Sequence, residues 1–123
     1  MSNSLSNNSL LQNIGTIERF VEPCILLLLS KNKAHGYGLL DELKKHCGEK
    51  VDIGNLYRTL RKMEKYEWVT SSWDTSEPGP SRRVYHITPQ GKDCLKNAAI
   101  SLVQTDSLIH QFLDVYQKDF ITI

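Results

Sequence analysis

A cluster of polar and basic side chains in the middle of the chain has the chemistry to bind nucleic acid. Arginine donates paired hydrogen bonds to a guanine edge or grips a phosphate, and asparagine bonds an adenine edge or a phosphate. Residues 44–65 carry seven basic and three acidic side chains, net +4, whereas the whole chain is +1. Positive charge is thus focused where a phosphate backbone could lie, although a solvated helix face is the alternative. The cluster members are Asn55, Arg58, Thr59, Arg61 and Lys62.

One predicted helix positions this cluster. Asp52 is a favourable N-cap residue. The apolar positions that follow recur at helical spacing and form one inward stripe, which leaves the basic cluster on the opposite face. Tyr57 lies near the amino end of the helix, where its hydroxyl could reach a DNA backbone. The stripe consists of Ile53, Leu56, Leu60 and Met63.

Further helices are predicted before this one. Leu10, Ile14, Ile17 and Val21 recur at helical spacing and predict a short amphipathic helix. Residues 24–29 predict a buried helix that has Pro23 in its first turn and ends near residues 30–32. A second helix is expected from His35 or Gly36 to Cys47, with Gly48 as a left-handed cap.

A hairpin is predicted after the basic helix. Residues 68–73 and 83–87 have the β-branched and aromatic composition of strands. The polar loop between them, residues 74–81, contains both proline and glycine. Arg82 and Arg83 stand at the base of this loop as cations for a phosphate or a minor groove. The order of helix, helix, turn, helix and hairpin predicts an α+β, mostly α, winged helix-turn-helix.

The last predicted helix is longer than the domain that precedes it. Thr88 and Pro89 are typical of a helix start, and the helix could run to about Lys118. Two rows of residues repeat every seven positions, and a helix of this length spans roughly 45 Å. Its own chain cannot cover that stripe, so a partner helix in a homodimer is the simplest cover. The predicted dimerisation residues are Leu95, Leu102, Ile109, Phe112 and Tyr116.

Three segments together resemble one known family, the PadR-like transcriptional regulators. Residues 35–40 (HGYGLL) resemble the family motif HGYxLL. Residues 54–64 (GNLYRTLRKME) resemble its recognition-helix motif GxLYxxLxxLE, and residues 79–91 (GPSRRVYHITPQG) resemble its wing motif GPxRxxYxxTxxG. The resemblance covers most of the chain. It implies a dimeric repressor whose C-terminal helix forms the dimer, as in the short-tailed subfamily.

These observations divide the chain into a flexible N-terminal segment (1–16), a winged helix DNA-binding domain (17–88) and a C-terminal dimerisation helix (89–123). We expect each dimer to place two recognition helices in major grooves roughly 34–36 Å apart, on a pseudo-palindromic operator. Some short relatives bind a small aromatic ligand on a tryptophan of the last helix. Here that helix offers Phe112, Tyr116 and Phe120 instead, so an effector stays unspecified. The predicted DNA-contacting residues are Tyr37, Asn55, Tyr57, Arg58, Thr59, Arg61, Lys62, Ser81, Arg82 and Arg83.

Other classes of protein find little support in the sequence. The chain shows no nucleophile elbow, phosphate-binding glycine loop or metal motif, so we expect neither an enzyme nor a cofactor. Three cysteines without CxxC spacing suit a reducing, cytoplasmic setting, and the longest apolar run is too short for a membrane span. Two alternatives stay open. One is a winged helix used as a protein-interaction module, and the other is a redox switch at Cys47 or Cys94 added to the regulator.

Overall fold

A computed structural model describes residues 20–47 and 51–120 of the chain. Most of the predicted amphipathic helix at residues 10–21, and the predicted cap at Gly48, lie outside these residues. The elements follow the predicted order, with one short strand added. They are α1 (Val21–Lys31), β1 (Ala34–His35), α2 (Gly36–His46), α3 (Ile53–Lys65), β2 (Val69–Asp74), β3 (Arg82–Ile87) and α4 (Pro89–Asp119).

The core lies between the first three helices, on the apolar side of α3. Leu56, Leu60 and Met63 are completely buried, which confirms the predicted stripe, and Ile53 is half-buried at its edge. The Asp52 side chain accepts a hydrogen bond from the backbone N–H of Asn55 at 2.7 Å and caps the helix as predicted. The core residues from the other elements are Cys24, Ile25, Leu26, Leu29, Leu39, Leu43, Val69 and Tyr85.

A three-stranded antiparallel sheet follows, in the order β1-β3-β2. Its β2–β3 hairpin is the predicted wing, with β2 beginning at Val69, one residue later than expected. Trp73 lies opposite Arg83 in the register, and Ser71 lies opposite Tyr85. Strand β1 was not predicted because two residues are too few to show an alternating pattern. It pairs with β3 and ties the start of α2 to the wing.

Thr88 joins the wing to the last helix. Its hydroxyl donates to the carbonyl oxygen of Glu67 at 2.6 Å and accepts from the N–H of Gly91 at 2.9 Å. Its backbone N–H also donates to the carbonyl oxygen of Trp68 at 3.1 Å. Gly91 is buried, and a Cβ there would overlap the Trp68 carbonyl oxygen and lie 2.8 Å from Ile87 Cγ1. Only glycine allows this close packing between the turn after α3 and the start of α4.

Helix α4 is a single element of 31 residues, close to its predicted length. Its first turns lie against α1, and Leu95 packs against the core of its own chain. Leu102 is half-buried, whereas the later members of the seven-residue repeat, Ile109, Phe112 and Tyr116, are exposed. The apolar stripe is therefore covered by its own chain at one end and open at the other.

Candidate nucleic-acid interface

The exposed face of α3 is built around Asp52, Asn55 and Arg58. The Asn55 amide donates to Asp52 Oδ2 at 3.1 Å, and its oxygen accepts from Arg58 Nη2. The helix cap thereby also orients the first polar side chain of the face. Asn55 and Arg58 are exposed, as a group that meets DNA must be.

A groove of about 880 Å³ runs between α3, the start of α2 and the wing. We call it the basic groove, because Arg61, Lys65, Arg82 and Arg83 line it against one acidic residue, Glu64. It brings together six of the ten predicted DNA-contacting residues, which come from three separate segments of the chain. These six are Tyr37, Tyr57, Arg61, Ser81, Arg82 and Arg83.

The Tyr57 ring of α3 packs closely against the start of α2. A Cβ at residue 36 would overlap the Tyr57 hydroxyl and lie 2.6 Å from its ring carbon Cζ. Gly36 is buried, and the absence of its side chain lets the ring pack directly on the backbone. Tyr57 is half-buried by this contact, whereas Tyr37 is 69% exposed at the rim of the groove.

Arg83 is held from two sides at the wall of the basic groove. Its Nε donates to the Ser71 hydroxyl oxygen at 2.9 Å, and its guanidinium carbon lies 5.1 Å from the centroid of the Trp73 ring. The Ser71 hydroxyl in turn donates to Glu64 Oε2 on α3 at 2.7 Å. These side-chain contacts connect the wing to α3.

Asp74 organises the base of the wing loop. It accepts hydrogen bonds from the Ser76 hydroxyl at 2.6 Å and the Ser76 backbone N–H at 3.0 Å, and its Oδ2 lies 3.0 Å from His35 Nε2. These bonds, those from Ser76 first, lower the pKa of the Asp74 carboxyl from 3.8 to about 2. Arg82 pairs with Glu77 across the loop at 3.3 Å.

Four predicted contact residues do not line the basic groove. Asn55 and Arg58 belong to the exposed face of α3 described above, and Thr59 and Lys62 lie nearer α1. Lys62 Nζ is 3.4 Å from Glu22 Oε2 on α1, and the Thr59 hydroxyl donates to the Asn55 carbonyl oxygen at 2.9 Å. Both line a small hollow beside α1. Helical spacing placed them on the polar face of α3, but only the packing of α1 shows which edge of that face they occupy.

Six residues of the groove were absent from the predicted set: His35, Gly38, Glu64, Lys65, Trp73 and Tyr85. Lys65 follows Arg61 by one helical turn, and this spacing was available in the sequence. His35 and Trp73 reach the groove through the pairing of β1 and β2 with β3. No sequence pattern indicated that pairing for the two-residue strand.

The open end of α4 presents a second surface. Leu108, Phe112, Val115 and Tyr116 line a shallow apolar hollow of about 450 Å³ together with Phe120. The rings of Tyr116 and Phe120 stack with centroids 5.5 Å apart. Exposed apolar side chains grouped together in this way are typical of an interaction surface.

The cysteines and the possible ligand groups add little to the site. Burial, and secondarily the charge of Glu22, raise the pKa of the Cys94 thiol, which disfavours the reactive thiolate. Among residues 20–47 and 51–120, no three His, Cys, Asp or Glu side chains are grouped so as to hold a metal ion. Within the same residues, every helix is too short or too polar to cross a bilayer.

The helix order, the three-stranded sheet and the basic groove define a winged helix-turn-helix protein. The model of the transcriptional regulator PadR-like family matches residues 25–97, more than half of the chain. The chain belongs to this family. It is accordingly a DNA-binding transcriptional regulator, and members of this family are not enzymes.

Solved structures agree with this assignment. A PadR-like transcriptional regulator from Bacillus cereus is 31% identical, with a TM-score of 0.69 over 76% of this chain and 90% of its own. A PadR family regulator from Clostridium difficile is 24% identical, with a TM-score of 0.71 over 76% of this chain and 98% of its own. Bacillus subtilis PadR in complex with operator DNA is 23% identical, with a TM-score of 0.62 over 68% of this chain and 48% of its own. Among curated proteins, none matches the chain.

Proposed function

We propose that the chain is a homodimeric, cytoplasmic transcriptional repressor that binds a pseudo-palindromic operator. The observation that carries this proposal is the basic groove, in which α3 and the wing present cations on one side of the domain. An exposed helix can enter the major groove of DNA, and a cationic hairpin beside it can contact the flanking phosphates. The Bacillus subtilis relative, which shares this fold, was solved with operator DNA.

Helix α3 is the proposed recognition helix. Asn55 and Arg58 stand exposed at its amino-terminal half, where side chains reach base edges. Arg61 lies one turn further along, inside the basic groove. Tyr37 and Tyr57 would bond phosphate on the wing side of the helix, and Thr59 and Lys62 on the side that faces α1.

The wing supplies sequence-independent contacts in this proposal. Ser81, Arg82 and Arg83 are exposed and line the basic groove. Their hydroxyl and guanidinium groups suit phosphates or a narrow minor groove. Loss of one of them would therefore weaken binding to all sequences alike.

The open end of α4 is the proposed dimer contact. Ile109, Phe112 and Tyr116 are exposed along one stripe, and a second copy of the helix would cover them. Leu102 would lie at the edge of that contact, and Leu95 would support it from the core. The proposal includes a small-molecule effector that binds near this contact, and it assigns no chemical class to that effector.

Fluorescence anisotropy tests the proposal directly. The DNA upstream of the gene is compared with a scrambled duplex over a salt series, using the wild type, Arg58→Ala, Arg83→Ala and Lys118→Ala. We expect tight, salt-dependent binding to the upstream DNA only. Arg58→Ala should weaken binding to the upstream DNA by about 1–3 kcal/mol. Arg83→Ala should weaken binding to both duplexes and reduce the slope of log affinity against log salt concentration by about one. Lys118, an exposed cation on α4, is the matched control and should leave both affinities unchanged.

Equal and weak binding to both duplexes, unaffected by Arg58→Ala and Arg83→Ala, would contradict the proposal. That result would favour the winged helix as a protein-interaction module. In that case the open face of α4 would be the surface to test first.

A further inference from the structure

Glu64 is the one acidic side chain among the described residues that line the basic groove. A carboxylate close to bound phosphate repels it, so on electrostatic grounds alone this residue opposes DNA binding. Its neighbours on α3 that face the same groove are Arg61 and Lys65. The hydrogen bond that Glu64 accepts from Ser71 gives a reason for a carboxylate at this position.

The Ser71 hydroxyl lies between Glu64 and Arg83. A serine hydroxyl has one proton to donate and lone pairs to accept. Here the proton goes to Glu64 Oε2 at 2.7 Å, and a lone pair accepts from Arg83 Nε at 2.9 Å. Glu64 therefore fixes the rotation of the hydroxyl and presents its lone pairs to Arg83.

The other face of the arrangement is Trp73. Trp73 lies directly opposite Arg83 in the β2–β3 register, and the guanidinium stacks on its ring at 5.1 Å. A guanidinium held by Nε on one side and by a ring face on the other has few remaining rotamers. Its two Nη groups, which carry the donors that suit a phosphate, are not used by the Ser71 bond.

We propose that Glu64 is a positioning residue, which acts through Ser71 to hold Arg83 against Trp73 in the conformation that binds a DNA phosphate. The proposal rests on the wing contact in the proposed function and deepens it. Holding the side chain in place before binding removes the entropy cost of ordering an arginine when DNA arrives. The neutral hydroxyl between the carboxylate and the guanidinium keeps the two charges from pairing directly, so the charge of Arg83 stays available to phosphate.

The sign of one mutational effect distinguishes this role from simple repulsion. Glu64→Ala removes both the negative charge and the acceptor for Ser71. Repulsion predicts tighter binding, whereas positioning predicts binding weaker by roughly three- to tenfold, the net value of one ordinary hydrogen bond. Glu64→Gln removes the charge but keeps an acceptor oxygen, so it should bind at least as tightly as the wild type. Ser71→Ala should reproduce the loss seen for Glu64→Ala.

Glu77→Ala is the matched control for charge. Glu77 lies on the wing loop, and its hydrogen bond is to Arg82. Its removal should leave DNA affinity unchanged or tighter. Circular dichroism of each variant checks that the helices are retained.

Trp73 fluorescence tests the arrangement without DNA. In a Trp68→Phe background, Trp73 is the single tryptophan of the chain. Loss of the guanidinium from the Trp73 ring, as in Arg83→Gln, should shift the wavelength of the emission maximum. Glu64→Ala and Ser71→Ala should show the same shift, whereas Glu64→Gln should keep the spectrum of the parent protein. An emission unchanged by Glu64→Ala would overturn the positioning role.

The two assays separate failure of this inference from failure of the proposed function. If Glu64→Ala binds DNA more tightly than the wild type and Arg83→Ala binds it more weakly, the positioning role is overturned and the wing contact is retained. Unchanged affinity for Arg83→Ala overturns the wing contact itself, and with it the purpose of the positioning, whatever the fluorescence shows.

Discussion

At the scale of single residues, two glycines and a threonine allow close packing between the elements that surround the wing. Gly36 admits the Tyr57 ring against the backbone of α2, and Gly91 admits the Trp68 carbonyl against the start of α4. Next to the Gly91 contact, the Thr88 hydroxyl donates to the Glu67 carbonyl oxygen and accepts from the Gly91 N–H. These residues do not line the basic groove, yet a larger side chain at either glycine would push apart the elements that meet there.

Gly91→Ala should destabilise the protein. The added methyl group would overlap a backbone carbonyl, which cannot rotate away as a flexible side chain would. We expect a loss of about 1–3 kcal/mol in the free energy of unfolding, measured by urea denaturation. Gly38→Ala is the control, because a Cβ at that position meets nothing within 4 Å. Equal stability of the two variants would contradict this account of Gly91.

The Asp74 carboxyl should make the wing sensitive to acid. Its pKa is lowered from 3.8 to about 2, so its bonds to Ser76 and His35 stabilise the folded state fully above about pH 4. This stabilisation is lost as the pH falls through 2. The stability difference between the wild type and Asp74→Ala should therefore be constant above pH 4 and shrink between pH 4 and pH 2. A difference that persists at pH 2 would show that Asp74 acts in some other way.

At the scale of elements, α3 depends on one cap for both its start and its exposed face. Asp52 accepts the Asn55 backbone N–H and also bonds the Asn55 amide, which in turn contacts Arg58. The residue that begins the helix thus also orders two side chains of the proposed recognition surface.

Asp52→Ala should lower both stability and operator affinity. The lost cap is worth about 1 kcal/mol of unfolding free energy. Asp52→Asn keeps an acceptor oxygen and should retain most of that stability, measured by thermal unfolding. A matching loss in both variants would mean that the charge of Asp52, and not its acceptor, supports the helix.

Sequence periodicity predicted the long elements and missed what tertiary contact decides. The α3 stripe and the length of α4 followed from repeats sustained over three or more turns. Strand β1 has no period to detect, and the bond of Lys62 to Glu22 depends on where α1 packs. The Glu64–Ser71–Arg83 arrangement joins α3 to two strands, so no local pattern could indicate it.

At the scale of the whole molecule, assembly is the property most open to test. Phe112 and Val103 are both 69% exposed, and they lie nine positions apart on α4, on opposite sides of the helix. Phe112→Glu places a charge within the proposed dimer contact, and Val103→Glu places the same charge outside it. We expect Phe112→Glu to raise the dimer dissociation constant on the order of 100-fold or more, measured by analytical ultracentrifugation.

The control defines the surface. Val103→Glu should sediment as the wild type does. Dissociation caused by Val103→Glu but not by Phe112→Glu would place the contact on the other side of α4, and a monomeric wild type would remove the dimer from the proposed function.

Helix α4 also restricts how the chain can change in length. Residues 92–119 contain neither glycine nor proline, so the helix has no built-in hinge between the DNA-binding domain and the proposed dimer contact. Inserting one residue would rotate everything beyond it by about 100°, whereas inserting seven restores the orientation to within about 20°. In the proposed dimer, the length of the helix therefore sets both the distance and the rotation between the DNA-binding domain and the dimer contact. Insertions and deletions within it should therefore be tolerated only in lengths that restore this orientation, such as about seven, eleven or eighteen residues, each matched by a change in the spacing of the operator half-sites.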